Sequence, residues 1–269
     1  MDQKAIIHSI QNSIQTIYGK EEANAIARQL YEYLSRKNLL NESQLQKSID
    51  LLLLHTPLQY ITGEAWFYHR CFQVNPSVLI PRPETEELVE LIFKTLKENQ
   101  PSSIIDIGTG SGCIAITLKH LFPQALVRAI DKSTKAIELA KKNGNESGAT
   151  ILFEDRDFLA DHMFELKQKF DLIVSNPPYI PENEHAEMKE NVKNHEPEMA
   201  LFVPANHPLV FYEQIAKFGK TNLTDRGMIF AEIHYKNGKS TKKLFEDYGY
   251  KVSLHKDMSN NDRFIVATF

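Results

Sequence analysis

Cysteine is scarce in this chain: Cys71 and Cys113 are the only two among 269 residues. They lie in separate regions without metal-ligand spacing, which argues against a disulfide framework and a zinc module and for reduced thiols. Long apolar runs are missing as well. Leu51-Leu52-Leu53-Leu54 is far too short to cross a membrane. The opening Met1-Asp2-Gln3-Lys4 lacks a secretory pattern, so a cytoplasmic chain without membrane contact is expected. Nor is there an excess of positive charge. The net charge is −4, and residues 1–70 hold seven basic and seven acidic side chains, which argues against a protein built to grip bare DNA or RNA. No internal repeat stands out, and no nucleophile elbow supports Ser-His-Asp hydrolysis. His185 and His195, with Glu184, Glu187, Glu190 and Glu196, fit no common zinc or di-metal spacing, so no metal is expected.

What is present is more specific. The apolar run Phe170–Ser175 ends in Asn176-Pro177-Pro178-Tyr179. Asn176 and Pro177 each precede a proline and are pushed into extended conformations. Neither proline has an N–H, so the loop mainly offers acceptors, the Asn176 side-chain oxygen and the Pro177 carbonyl. Tyr179 adds a flat ring beside them. Acceptors and a ring suit a planar NH2 group, such as a glutamine amide or the exocyclic amine of a base.

A second motif names the kind of co-substrate. Ser103–Ile107 reads as a buried strand running into Gly108-Thr109-Gly110-Ser111-Gly112 and then a helical pattern from Cys113. Strand, glycine turn and helix start make a nucleotide-binding crossover, where backbone N–H groups lie open to a ligand. A dinucleotide fingerprint needs its third glycine at position 113, where this chain has cysteine. The G-x-G-x-G spacing fits a ligand with a ribose and no pyrophosphate, favouring S-adenosylmethionine over NAD. Asp131 closes the next apolar run and is placed to take two ribose hydroxyls. Asp157 and Phe158, after the third strand, are candidates to edge the adenine.

The chain divides into three parts. Apolar residues at helical spacing (Ile6, Ile7, Ile10, Ile14, Ile17; Ala23, Ile26, Ala27, Leu30, Leu34; Leu45, Ile49, Leu52, Leu53) predict a helical bundle over residues 1–62, a candidate docking surface for a partner. Residues 63–80 alternate like a β-hairpin linker. From 81 to 269 strands and helices alternate, with strands expected at 103–107, 125–130, 150–153, 170–175, 227–233, 250–255 and 262–268. That predicts a doubly wound, mostly parallel α/β sheet of seven strands whose last two pair as an antiparallel hairpin. Pro83-Glu84-Thr85-Glu86 reads as a helix start, with Arg82 and Glu84 beside the pocket.

Pro57-Leu58-Gln59-Tyr60-Ile61-Thr62-Gly63, Leu79-Ile80-Pro81-Arg82-Pro83-Glu84-Thr85-Glu86, the glycine loop, Asn176-Pro177-Pro178-Tyr179-Ile180 and Glu196-Pro197-Glu198-Met199-Ala200-Leu201 occur in one order. Over residues 55–269 this resembles the bacterial peptide chain release factor glutamine methyltransferases, the HemK or PrmC family. The resemblance implies a class I S-adenosylmethionine-dependent methyltransferase fold. It also implies N5-methylation of the glutamine in the Gly-Gly-Gln motif of class I release factors. Asn176, Pro177 and Tyr179 would then be catalytic, and Asn176, Pro177, Pro178, Tyr179, Arg82, Glu84 and Glu196 would hold the substrate. Gly108, Thr109, Gly110, Ser111, Gly112, Asp131, Phe158 and Asn176 would hold the methyl donor. No metal, DNA or membrane enters, and a monomer is the default expectation. Three places depart from the family pattern: His69 and His234 stand where glycine is usual, and Phe202–Pro208 replaces a glycine-rich stretch. A glutamine methyltransferase for a large-subunit ribosomal protein, and an adenine-amine DNA methyltransferase, share the Asn-Pro-Pro-Tyr element and remain alternatives. A degenerate scaffold without activity is the non-enzymatic one.

Overall fold

A computed structural model describes residues 2–160, 168–187 and 190–269. It divides into two compact units, one of the described residues in Met1–Glu64 and Met188–His195, the other in Ala65–Glu187 and Glu196–Phe269.

The first unit is built from α1 (Gln3–Tyr18), α2 (Lys20–Arg36), α3 (Glu42–Leu53) and the short α4 (Leu58–Thr62). Ile6, Ile10 and Ile14 of α1 close on Ala23, Ala27, Leu30 and Leu34 of α2 and Ile49 and Leu52 of α3. Burying a large aliphatic side chain of this kind contributes roughly 1.5–3 kcal/mol, so the stripes are the source of the bundle's stability. Asn41 caps α3 by accepting the Gln44 N–H at 2.9 Å. Leu53, expected in the stripe, is exposed instead, as is Leu54 at 67%. Helix α3 ends at Leu53, and the chain turns away from the core there.

The second unit opens with a hairpin, β1 (Glu64–Phe67) and β2 (Arg70–Gln73). Its two-residue turn puts Tyr68 at φ 46° and His69 at φ 64°. Both left-handed values are what a type I′ turn requires, a conformation that glycine adopts more readily than His69. After α5 (Pro83–Leu96) the doubly wound pattern begins: β3 (Ser103–Ile107), α6 (Cys113–Leu121), β4 (Leu126–Asp131), α7 (Thr134–Ser147), β5 (Leu152–Asp155) and β6 (Phe170–Ser175). A small parallel pair, β7 (Ile180–Pro181) and β8 (Phe202–Val203), comes before and after α8 (Glu190–His195) in the sequence. Then come α9 (Val210–Asn222), β9 (Leu223–Glu232), α10 (Gly238–Asp247), β10 (Lys251–Lys256) and β11 (Asp262–Thr268).

The seven-stranded sheet has the order β10-β11-β9-β6-β3-β4-β5. Strands β9, β6, β3, β4 and β5 run parallel, while β11 is antiparallel to both β9 and β10. Near-continuous apolar strands such as Ile104-Ile105 and Leu172-Ile173-Val174 follow from burial on both faces. One face packs on α5, α6 and α7 through Leu88, Ile92, Ile116 and Ile137, the other on α9 and α10 through Tyr212, Phe218 and Phe245.

Strands β4 and β10 sit one residue later than expected at each end, and two strands depart further. β9 starts at Leu223, four residues early, because Leu223 pairs with Phe170; the register then shifts, Leu172 pairing with Met228, so residues 224–227 bulge from the ladder while the Thr224 hydroxyl donates to Asp171 at 2.9 Å. β5 runs Leu152–Asp155, two residues late at each end, fixed by its pairing with Arg128–Asp131.

Candidate active site

Chain order reverses beside β3: β4 and β5 lie on one side and β6 and β9 on the other. Open α/β sheets bind ligands at the carboxyl ends of the strands at such a reversal. Register places the relevant loops in a row there. Ile107 pairs with both Ile130 and Ser175, and Ser175 with Ala231. Asp131, Gly108, Asn176 and Glu232 are therefore next to one another on four adjacent strands.

The glycine loop is held from beneath by backbone and carboxylates. Gly108 and Thr109 donate their N–H groups to the Ile130 carbonyl at 2.9 and 3.0 Å. Asp106 is fully buried; its Oδ2 accepts the Thr109 hydroxyl at 2.6 Å and the Ala115 N–H at 3.2 Å. Burial pushes this carboxyl up to about 7. Gly108, Gly110 and Gly112 take φ of 75°, 54° and 81°. A Cβ on Gly112 would meet Ile116 Cδ1 at 3.1 Å and Ala140 Cβ at 3.2 Å, so glycine is required for α6 to seat against α7. A Cβ on Gly108 or Gly110 would meet nothing within 4 Å; the backbone there is open to a ligand.

Asp131, at the end of β4, accepts the Gly110 N–H and the Ser133 N–H, both at 2.9 Å. Burial raises its carboxyl, opposed by those two hydrogen bonds. The side chain thus shapes the glycine loop while its remaining lone pairs stay available.

One cavity of about 340 Å³ joins these parts, a size suited to a small ligand. Its lining includes Gly108, Thr109, Gly110, Ser111, Asp131, Asp157, Phe158, Asn176, Pro177, Pro178 and Arg82 from the set expected from sequence. Phe158 meets Phe218 edge-on, with centroids 5.6 Å apart. Asp157 forms an ion pair with Lys132 at 2.8 Å. Leu79-Ile80-Pro81, Met199, Phe202 and Phe211 add apolar wall that sequence reading did not assign.

Four expected residues are absent from that lining. Gly112 lies beneath it as the first cap of α6. Glu196 is buried and receives Arg82 Nη2 at 2.7 Å, so it anchors the arginine that lines the cavity. Glu84 gives way to its neighbour Thr85, which does line it. Tyr179 is packed against the α9 side of the core beside His234, its hydroxyl donating to Glu232 at 3.2 Å; burial raises its phenol further above its ordinary value.

Thr85 and Glu232 were missed by sequence reading. The Thr85 hydroxyl donates to Glu232 at 2.7 Å and accepts from Asn176 Nδ2 at 2.9 Å. Glu232 is 1% exposed, and burial pushes its carboxyl up to about 7 against the two hydrogen bonds and the nearby Arg263. Among the described residues no three His, Cys, Asp or Glu side chains gather as a metal site, and the Glu187 side chain lies outside those residues. Among the same residues no helix is long and apolar enough to cross a membrane.

Comparisons with known proteins give the family. The family described as Methyltransferase small domain matches residues 85–203. A release factor glutamine methyltransferase of Flavobacterium psychrophilum is 45% identical over 217 residues, 79% of this chain and 75% of that protein. One from Bacteroides thetaiotaomicron is 41% identical over 274 residues, covering 96% of this chain and 97% of its own. Among solved structures, a 16S rRNA methyltransferase from T. thermophilus, in complex with AdoMet and guanosine, superposes with a TM-score of 0.55. It is 17% identical and covers 76% of this chain and 49% of its own, which speaks to the fold alone.

Proposed function

The chain belongs to the release factor glutamine methyltransferases, and from that premise we propose how its residues divide the work of the transfer. The reaction is methylation of a glutamine side-chain amide in a peptide chain release factor with S-adenosylmethionine as donor. The glycine loop and Asp131 are assigned to the donor, with Asp131 taking the ribose hydroxyls and Phe158 edging the adenine. The open backbone at Gly108 and Gly110 and the 340 Å³ cavity support that fit. Bound there, the donor supplies an electrophilic sulfonium methyl, whose S–C bond breaks as the N–C bond to the glutamine forms.

The observation that carries the acceptor side is the orientation of Asn176. Its NH2 faces Thr85, which leaves its oxygen as an acceptor at a cavity wall shared with the glycine loop. A glutamine amide nitrogen is a poor nucleophile because its lone pair is delocalised, the resonance behind the ~18–20 kcal/mol rotation barrier of a peptide bond. Holding it in line with the methyl supplies up to ~7–11 kcal/mol in favourable cases. As the nitrogen becomes more positive its N–H bonds become stronger donors, so the Asn176 oxygen and the Pro177 carbonyl bind the transition state better than the ground state. The alkylated nitrogen then releases its proton to solvent, and no strong base is needed beforehand. Arg82, braced by Glu196, and the apolar wall of Met199, Phe202 and Phe211 are assigned to the peptide flanking the glutamine. The helical bundle of residues 1–62 is assigned to docking the rest of the release factor.

Mass spectrometry of a class I release factor incubated with the enzyme and labelled donor tests this reading. One methyl on the glutamine of the Gly-Gly-Gln motif is expected, and none on large-subunit ribosomal protein offered in parallel. A methyl on the ribosomal protein alone would overturn the substrate assignment.

A further inference from the structure

Glu232 does not touch the cavity, yet it is a carboxylate buried at the foot of the loop that does. It ends β9, beside β6, and the β6–β9 register brings it level with Asn176. Thr85 reaches it from the first turn of α5, and Tyr179 from the far end of the same loop as Asn176. We propose that Glu232 is a positioning residue for the transfer: through Thr85 it fixes the Asn176 amide with its NH2 turned inward and its oxygen left for the incoming glutamine. The proposal rests on the acceptor role given to Asn176 above.

The reasoning is a count of hydrogens. An ionised carboxylate has none to give. At 2.7 Å from Glu232 the Thr85 hydroxyl commits its single hydrogen to that carboxylate, so only lone pairs face Asn176. An Asn176 oxygen turned toward Thr85 would meet another acceptor, whereas its NH2 makes the 2.9 Å bond. The direction of every bond in the relay therefore follows from one ionised group. The other oxygen of the same carboxylate takes the Tyr179 hydroxyl, so both ends of the Asn176–Tyr179 loop are tied to it.

A protonated Glu232 reverses the logic. It can donate to Thr85, whose own hydrogen is then free to meet the Asn176 oxygen; the Asn176 amide flips and presents NH2 to a substrate amide N–H that needs an acceptor. The groups facing Glu232 are Thr85 and Glu84 from α5, Tyr179 from the loop and Arg263 from β11, and the Tyr212 hydroxyl of α9 donates to its main-chain carbonyl at 3.0 Å. Burial dominates and holds the carboxyl at about 7, so transfer should fall as pH drops through neutrality. Asp106 is raised to a similar range, but it braces the donor loop, and saturating donor removes its influence on affinity from the measurement.

The test uses the full chain with Thr85→Val, Thr85→Ser and Glu232→Gln. Single-turnover transfer to release factor is followed against pH at saturating S-adenosylmethionine, alongside calorimetric donor affinity. Thr85→Val should lower the rate about tenfold or more with donor affinity unchanged, and Thr85→Ser, which keeps the hydroxyl, should restore most of it. The fall on the acid side should vanish in Glu232→Gln. Wild-type transfer by Thr85→Val, or an unaltered acid limb in folded Glu232→Gln, overturns the proposal; if Glu232→Gln does not fold, the Thr85 pair decides. Asn176→Ala measured alongside separates the levels. If it transfers normally, the role of Asn176 itself fails and takes the relay with it. If it is inactive while Thr85→Val is normal, only the relay fails.

Discussion

The two walls of the cavity are built differently. The wall assigned to the donor is a backbone structure: Gly108 and Gly110 at positive φ, their N–H groups tied to the Ile130 carbonyl and to Asp131, with Gly112 behind them, all within one β-α-β stretch. The wall assigned to the acceptor is a side-chain structure: Asn176 and Thr85 line it and Glu232 stands behind them, three distant parts of the chain that meet in a buried relay. Backbone cradles recognise a ligand by shape and tolerate loss of one contact. A relay of single hydrogen bonds fixes one orientation of one amide, and each member is needed for it. Damage on the two sides should therefore read out in different quantities, affinity on one and rate on the other.

The largest expected effect is on the relay side. Asn176→Ala should lower transfer by about 10²–10³, the usual cost of removing one preorganised partner of the transition state, while calorimetry finds donor affinity nearly unchanged. On the side assigned to the donor, Asp131→Ala removes the proposed ribose acceptors and releases the Gly110 and Ser133 N–H groups. Donor affinity should fall roughly tenfold or more, since a buried group left without its partner costs ~1–3 kcal/mol; unchanged affinity in a folded variant would remove Asp131 from the donor site.

A smaller effect appears in stability. Glu232 is raised by burial to about 7, so between its ordinary carboxylate range and neutrality the folded chain keeps a proton that the unfolded chain has released. Its contribution is full below the unfolded value and is lost as pH rises through about 7. Glu232→Gln has no such loss, so its stability relative to wild type should improve from acid to alkaline pH, by about 1 kcal/mol or more in denaturant unfolding. No change in the difference with pH would mean the carboxyl does not titrate there.

Docking should give a few-fold effect confined to the protein substrate. Leu54 is 67% exposed on the bundle, and Leu54→Asp should raise KM for intact release factor with donor affinity untouched. The smallest effect belongs to the hairpin turn. His69 is exposed at φ 64°, and His69→Gly should leave activity alone and stabilise by a few tenths of a kcal/mol, up to about 1, since a left-handed backbone is strained for a side chain and free for glycine. A clear drop in melting temperature would show that the His69 ring contributes more than its backbone costs.

The same contrast decides what could be read from sequence. The glycine loop and Asp131 were legible because their spacing is local: strand, turn and helix follow one another and each glycine marks a backbone need. The Asn176 loop was legible for the same reason. Thr85 and Glu232 were not, since their contact spans 147 residues and Thr85 to Asn176 spans 91. Each looked ordinary in its own context, one in a helix start, the other at the end of an apolar strand. The only local hint was a carboxylate closing the apolar run Met228–Ala231, an expensive place for a charge without a partner. Glu196 was picked out by motif, but its buried role beneath Arg82 needed the tertiary contact. The short helix at Glu190–His195, counted with the later domain by its place in the chain, groups with the helical bundle, and nothing in its composition announces that.

The division between the two walls is tested most directly by single-turnover methyl transfer to intact release factor, measured for Asp131→Ala and Asn176→Ala as donor concentration is raised to saturation. The account predicts that Asp131→Ala recovers to within a few-fold of wild type once the site is filled, while Asn176→Ala stays slow at every donor concentration. Recovery of Asn176→Ala at high donor, or failure of Asp131→Ala to recover in a folded, donor-saturated enzyme, would contradict it.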